Sequence, residues 1–238
     1  MPETDQSDLT RAAIRDGVRD ALTVPTTIIF FTMAGFGTLA TEIGFSAQEA
    51  VLTSLLMWSL PAQMVMADMY AGGAEALAIL LAVSMANVRF LPMSMALMPT
   101  LAPGLRHGFW LYPLAHLMSA NTWTLGMRSV ERRAPPQRVA YYAPLAVVCL
   151  IAGALGTAAG YFAAAMVPQP ILLALILMNP IFIALLFLGS SQRHVLYAVA
   201  AGAALGPPVL SLAPDYGILV VGLVGGTIAH QLTRKRSK

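Results

Sequence analysis

Eight apolar runs divide this chain, at roughly 22–41, 50–68, 76–99, 109–127, 140–167, 171–188, 195–212 and 217–232. Each is near the ~17–25 residues that a helix needs to span a hydrocarbon core about 30 Å thick, and the fifth is long enough to tilt. Inside a bilayer no water satisfies open backbone N–H and C=O groups. Spanning segments are therefore helices or closed barrels, and runs of this length are helices. Composition agrees, because 58% of the 238 residues are hydrophobic and only 11% are charged. Soluble domains carry about 25% charged residues, and a soluble core could not bury this much apolar surface. The expected fold class is all-α: a polytopic membrane helical bundle of about eight transmembrane helices, some broken by proline. Seven spans stays open, because the 213–216 connection, APDY, is very short.

Charge placement orients the bundle. With eight spans and the N-terminus inside, twelve of the fourteen Lys and Arg fall on the inner side. They are Arg11, Arg15 and Arg19, then Arg128, Arg132, Arg133 and Arg138, then Arg193, then Arg234, Lys235, Arg236 and Lys238. Arg106 alone sits in an outer loop, and Arg89 lies within a span. The positive-inside rule then places both termini in the cytoplasm. Residues 1–20 form a cytoplasmic segment in which Arg11, Arg15 and Arg19 share one helical stripe, either an interfacial helix or a solvated tail. Residues 21–232 form the membrane domain and 233–238 a basic cytoplasmic tail. The first twenty residues lack a basic stretch followed by an apolar core, so no cleaved signal peptide is expected. The net charge of +3 is small, and its basic residues read as topology signals, not as a nucleic-acid surface. Cys149 is the only cysteine, which excludes an intrachain disulfide and a multi-cysteine metal site.

Enzyme signatures are missing. The chain has no Gly-x4-Gly-Lys-Ser/Thr loop, no His-Glu-x-x-His and no paired carboxylates within a span. The serines of GSSQRH, 189–194, stand near a histidine but in an expected cytoplasmic loop. No catalytic residue, metal or cofactor is expected. The polar residues inside the spans carry more. Arg89 and Asn87 lie in the third, Gln63 and Asp68 follow Pro61 in the second, His116, Asn121 and Thr122 lie in the fourth, and Asn179 precedes Pro180 in the sixth. A charge within lipid costs several kcal/mol at least, so it must face protein or a water-filled interior. Between Glu75 and Arg106 the only formal charge is Arg89, roughly 21 Å along a helix from Glu75. It either binds a substrate or clamps backbone carbonyls or Asp68. Asn87 and Arg89 diverge by about 200° on an ideal helix and share a site only if Pro92 unwinds it. Pro61 and Pro180 are either plain kinks or breaks that bare backbone groups to a substrate. Asp68 and His116 are candidates for an ion pair or for ion coupling.

An offset of 119 aligns Pro25, Gly37, Thr38 and Pro61 with Pro144, Gly156, Thr157 and Pro180. It suggests a four-plus-four internal repeat whose halves run parallel, against a background of chance matches in so apolar a chain. The Gly-x3-Gly spacings at 156–160, 202–206 and 222–226 mark close helix packing.

GFSAQEAVLTSLLMWSLPAQ (44–63), followed by NVRFLPMSMAL (87–97), resembles the AzlC family of branched-chain amino acid permeases and exporters. The family's Asn-Leu-Arg-Phe hallmark reads here Asn87, Val88, Arg89, Phe90, and the glutamine closing its second-span motif corresponds to Gln63. The resemblance extends over about 22–188. It implies secondary transport across a bacterial inner membrane, typically export of valine, leucine, isoleucine or related molecules. It also implies a small, separately encoded four-span partner of the AzlD type, in an assembly whose oligomeric state is open. One departure stands out. Where the family often has an acidic Asp-Glu-Thr-Phe-like run, this chain has Ala120, Asn121, Thr122 and Trp123, so coupling through a carboxylate there is in doubt. The expected site comprises Arg89, Asn87, Gln63, Asn121, Thr122 and Asn179. Arg89 would take a substrate carboxylate, with Phe90 and Trp58 against an aliphatic side chain. The alternative is a non-transporting membrane scaffold for a partner.

Overall fold

The computed structural model describes residues 6–166 and 193–212, with 168, 170, 171, 174, 177, 181, 220, 221, 224–228 and 231. Its elements are α1 (Gln6–Ala21), α2 (Val24–Glu42), α3 (Ala47–Met57), α4 (Leu60–Ala71), α5 (Ala76–Asn87), α6 (Phe90–Leu101), α7 (Leu111–His116), α8 (Ala120–Ser129) and α9 (Pro135–Ala163), which continues as a 3-10 turn to Met166. Contacts divide the chain into two units, 1–179 and 180–238. Within the second, Arg193–Leu212 is one helix containing Pro207 and Pro208. Asn179 and Pro180, and most of the apolar runs 171–188 and 217–232, lie outside the described residues.

In the first unit α2 and α9 run side by side and parallel. The pairs in contact rise together: Ile29 with Gly153, Phe30 with Gly156, Ala34 with Gly160. A Cβ on Gly156 would stand 2.2 Å from the Phe30 carbonyl oxygen, and one on Gly160 1.9 Å from that of Ala34. Small residues let the two backbones meet, as in membrane helix pairs generally. Thr38 Oγ1 donates across the seam to the Gly160 carbonyl at 3.2 Å. Val24–Glu42 and Pro135–Met166 are long and apolar enough to cross a membrane. The pair α5 and α6 passes the same test together, bent by 51° at its break, giving two or three candidate spans among the described residues.

The run expected as one span at 50–68 folds back on itself. The rings of Phe45, before α3, and Tyr70, near the end of α4, are 5.1 Å apart. A continuous helix would separate those residues by about 37 Å. Gln63 Nε2 also reaches back to Ser54 Oγ at 3.0 Å, so α3 and α4 are the antiparallel arms of a hairpin. Its start is a capping box, with Ser46 Oγ accepting from the Glu49 N–H and Glu49 Oε2 accepting from the Ser46 N–H at 2.7 Å. The backbone and hydroxyl bonds from Ser46 hold the exposed Glu49 carboxyl below its usual range. Its tip is Trp58, in the left-handed region (φ 45°, ψ 36°), followed by the extended Ser59. Pro61 explains the break. Having no N–H, it cannot bond the carbonyl of Met57, the last residue of α3, and it sits instead in the first turn of α4, where that N–H is not needed. Pro92 acts alike on Val88, whose carbonyl accepts from the Leu91 N–H at 3.0 Å in a tighter turn between α5 and α6.

The run 109–127 also turns back within the unit. The end of α6 lies beside the start of α9, because Arg138 Nη1 donates to the Thr100 carbonyl at 3.0 Å and a Cβ on Gly104 would meet the Pro135 carbonyl oxygen at 2.3 Å. From Gly104 to Leu111 the chain extends at most about 25 Å. It nevertheless reaches the first hairpin's tip, where the Leu117 carbonyl accepts from Trp58 Nε1 at 3.2 Å. The Trp58 ring lies against Gly153, which is about 27 Å into α9. Then α8 returns, with Gly126 near Leu97 and Tyr142, and ends shortly before α9 begins. Its start is a second capping box, with Ser119 Oγ accepting from the Thr122 N–H at 3.2 Å and Thr122 Oγ1 from the Ser119 N–H at 2.8 Å.

This path moves Arg106. Expected in an outer loop, it follows Gly104 by two residues and so lies at the start of α9, with Arg128, Arg132, Arg133 and Arg138. The opposite end of the unit carries Glu42, Glu49 and Glu75 and no Lys or Arg among the described residues.

Candidate functional site

Two hairpin tips and the bend between α5 and α6 meet in the first unit. The α3–α4 tip brings Trp58 and Ser59, the bend brings Asn87 and Arg89, and the α7–α8 tip brings His116, Leu117 and Ser119. Trp58 ties its own tip to the second one through the Leu117 carbonyl. His116 Nε2 lies 2.9 Å from the Leu55 carbonyl. Because a carbonyl only accepts, Nε2 carries the proton. Trp123 Nε1 donates to the Met93 carbonyl at 3.1 Å and fixes α8 to α6.

Gln63 is fully buried, one turn beyond Ser59 on α4. It heads a chain of hydrogen bonds with a fixed direction. Thr157 Oγ1 donates to the Gly153 carbonyl at 3.1 Å. Ser54 Oγ, 2.7 Å from Thr157 Oγ1, must then be the donor of that pair. With its proton spent, Ser54 accepts from Gln63, so the amide nitrogen is the atom facing it, at 3.0 Å. Gln63 Oε1 is left buried with no hydrogen-bond partner. An unsatisfied buried acceptor costs about 1–3 kcal/mol, so this position favours any donor that reaches it.

Arg89 Nη2 lies 3.4 Å from Ser59 Oγ, and its guanidinium carbon lies 5.1 Å from the Phe90 ring centroid. The residue is otherwise exposed, and among the described residues it bonds no backbone carbonyl. Arg89 does not pair with Asp68. The one ion pair among the described residues is Arg133 with Asp16, at 3.4 Å. The hairpin explains why: Asp68 stands nine residues beyond Ser59 on the returning arm, about 14 Å from the tip. Asn87 Oδ1 is a second buried acceptor with no partner, and no hydrogen bond joins Asn87 to Arg89. Asn121 and Thr122 are buried in the first turn of α8. Thr122 is occupied by the capping box. Trp58, expected beside an aliphatic substrate, is only 3% exposed, its ring against Gly153.

The roles of Ser54, Ser59, Thr157 and the two indoles escape a sequence reading. Small hydroxyl residues in apolar runs usually bond their own helix, and only folding the hairpin shows that these bond across it. The starts of α4 and α8 both lie at the meeting point, each with a serine N-cap. Helix N-termini carry partial positive charge, so together with Arg89 they make a field suited to a carboxylate.

A family model described as AzlC protein matches residues 25–167, which take in α2 through α9. No curated protein and no solved structure matches the chain.

Proposed function

We propose, from the premise that this chain belongs to the AzlC family, that it is a secondary transporter exporting branched-chain or related small amino acids across a bacterial inner membrane. The family is one of branched-chain amino acid transport proteins. The observation that carries the reading is the pairing of charge types at the hairpin tips. Arg89 supplies a planar fork for a carboxylate, and Gln63 Oε1 and Asn87 Oδ1 are open acceptors for an ammonium. A zwitterionic α-amino acid satisfies both. Phe90 is the apolar neighbour for its side chain. His116, at the second tip, is the candidate for proton coupling, and Asp68 stands too far along α4 to share that role at the tips.

In this reading the α9-start end faces the cytoplasm, because the basic residues gather there. The first unit then crosses three times, through α2, through bent α5–α6 and through α9. The hairpin α3–α4 re-enters from outside, and α7–α8 from inside. The parallel course of α2 and α9 supports an odd number of crossings between them. If the three apolar runs after residue 167 also cross, both termini are cytoplasmic after six crossings in place of eight. An AzlD-type subunit is the proposed partner. The support is α5, which buries none of its residues and exposes Leu77, Leu80 and Leu81.

The test is leucine-induced thermal stabilisation of purified protein, with efflux from vesicles measured beside it. Gln63→Met keeps the volume and removes the open acceptor, and Arg89→Lys keeps the charge without the fork. Each should keep its resting melting temperature within a few degrees and bind leucine about 10- to 100-fold more weakly, the scale of one hydrogen bond to a charged group. Wild-type stabilisation in both variants would remove this site. Absence of any efflux, with or without the partner, would leave a scaffold role.

A further inference from the structure

At the α9-start end a groove of about 510 Å³ opens between α1 and the turn joining α8 to α9. One wall is apolar, made by Leu9, Ala12 and Ala13 of α1. The other carries hydrogen-bond donors from Arg132 and Gln137, with Ser129 beside them engaged by Tyr141. Arg133 and Asp16 also line the groove but are bound to each other. Arg133 is held further by the Ser129 carbonyl at 2.7 Å and by the Tyr141 ring, whose centroid is 3.8 Å away. Tyr141 in turn donates to Asp20 Oδ2 at 2.8 Å. Arg133 is thus a fixed and neutralised wall. Arg132 is exposed and makes no side-chain hydrogen bond among the described residues.

We infer that this groove holds the phosphodiester headgroup of an anionic phospholipid. The two facing walls match an amphiphile, with a headgroup against Arg132 and Gln137 and the start of an acyl chain against Leu9, Ala12 and Ala13. Charge selects the ligand class. With Arg133 and Asp16 cancelling, Arg132 leaves one net positive charge, which matches a singly charged phosphodiester better than a doubly charged phosphate. Position supplies the source, since the groove lies at one end of the crossing helices, where headgroups lie. Leu9 and Ile14 of α1 are 38% and 43% exposed, so α1 also offers apolar surface to the same layer. The ligand would fasten α1 to the start of α9. The inference depends on this end lying at a membrane face and not on what the protein transports.

The test uses full-length protein in neutral detergent, with binding read by native mass spectrometry and thermal shift. The probes are phosphatidylglycerol, phosphatidylcholine and inorganic phosphate. Phosphatidylglycerol should be retained and should stabilise the protein, and the other two should do neither. Arg132→Ala should weaken phosphatidylglycerol binding about five-fold, the scale of one basic residue near an anionic surface. Arg132→Lys should keep most of the binding. Arg106→Ala, which removes an exposed basic residue of the same end outside the groove, should leave it unchanged. Equal retention by wild type and Arg132→Ala would overturn the site, and so would equal losses in Arg132→Ala and Arg106→Ala, which would show only diffuse charge. Competition by inorganic phosphate would reassign the groove to a free anion, and equal retention of phosphatidylcholine would remove the charge selection.

Discussion

The α2–α9 pair and the segment from α3 to α8 are made of similarly apolar sequence, yet one is straight and the other is broken three times. α2 and α9 each run on as one unbroken helix, and Gly156 and Gly160 let the two backbones touch. Even Pro144 is carried inside α9 without ending it. In the other region the helices stop at Met57, Asn87 and His116. There two of the freed carbonyls, those of Leu55 and Leu117, are taken up by His116 and Trp58 of the opposite tip. A helix whose bonds are internal can only frame a site. A helix that ends inside the bundle leaves backbone groups and polar side chains facing one another, and those can be offered to a ligand.

The contrast breaks most completely if the first hairpin is really a crossing. Cysteines introduced together as Phe45→Cys and Tyr70→Cys, with Cys149→Ala to remove the native thiol, should be joined by a short bifunctional thiol crosslinker. A crossing would hold them about 37 Å apart and give no crosslink. Next in size is the frame. Gly160→Leu must separate α2 from α9, because even a Cβ would stand 1.9 Å from the Ala34 carbonyl oxygen. A cost of about 3 kcal/mol or loss of folded protein is expected, read as monodisperse yield in detergent. Gly108→Ala, where nothing lies within 4 Å, should be close to neutral. Wild-type yield of Gly160→Leu would show that the seam is not tightly packed. The smallest effect is at the tips. Trp58→Phe keeps most of the ring against Gly153 and loses the indole bond to Leu117, so about 1 kcal/mol of stability should go. A melting temperature equal to wild type would mean that the tips are not tied through that bond.

Parts of this were legible in the residues. Pro61 and Pro92 mark two of the breaks, because a missing N–H four residues after a carbonyl is a local fact. Ser46 followed by Glu49 is a readable capping box. The third break has no such proline and depends on Ser119 and Thr122, an unremarkable pair until the chain is seen to stop there. Arg89, Asn87 and Gln63 stood out as polar residues in apolar runs. That Gln63 has one amide atom committed and one open follows only from a hydrogen-bond chain spanning Ser54, Thr157 and Gly153. Sequence alone leaves Asp68 open as a partner for Arg89, and the fold of the hairpin decides against it.

By itself the sequence determined the all-helical membrane class and where the apolar runs and their prolines lie. These are properties of single segments: the transfer free energy of an apolar run, the missing donor of a proline, the sign of a charge. Only the tertiary structure decided that the runs 50–68 and 109–127 fold back and which polar groups meet. The side chains of an apolar run gain the same transfer free energy whether the run goes through or turns back, so hydropathy cannot tell the two apart. The difference lies in pair contacts such as Phe45 with Tyr70 and Trp58 with Leu117, which form only when segments distant in the chain pack together.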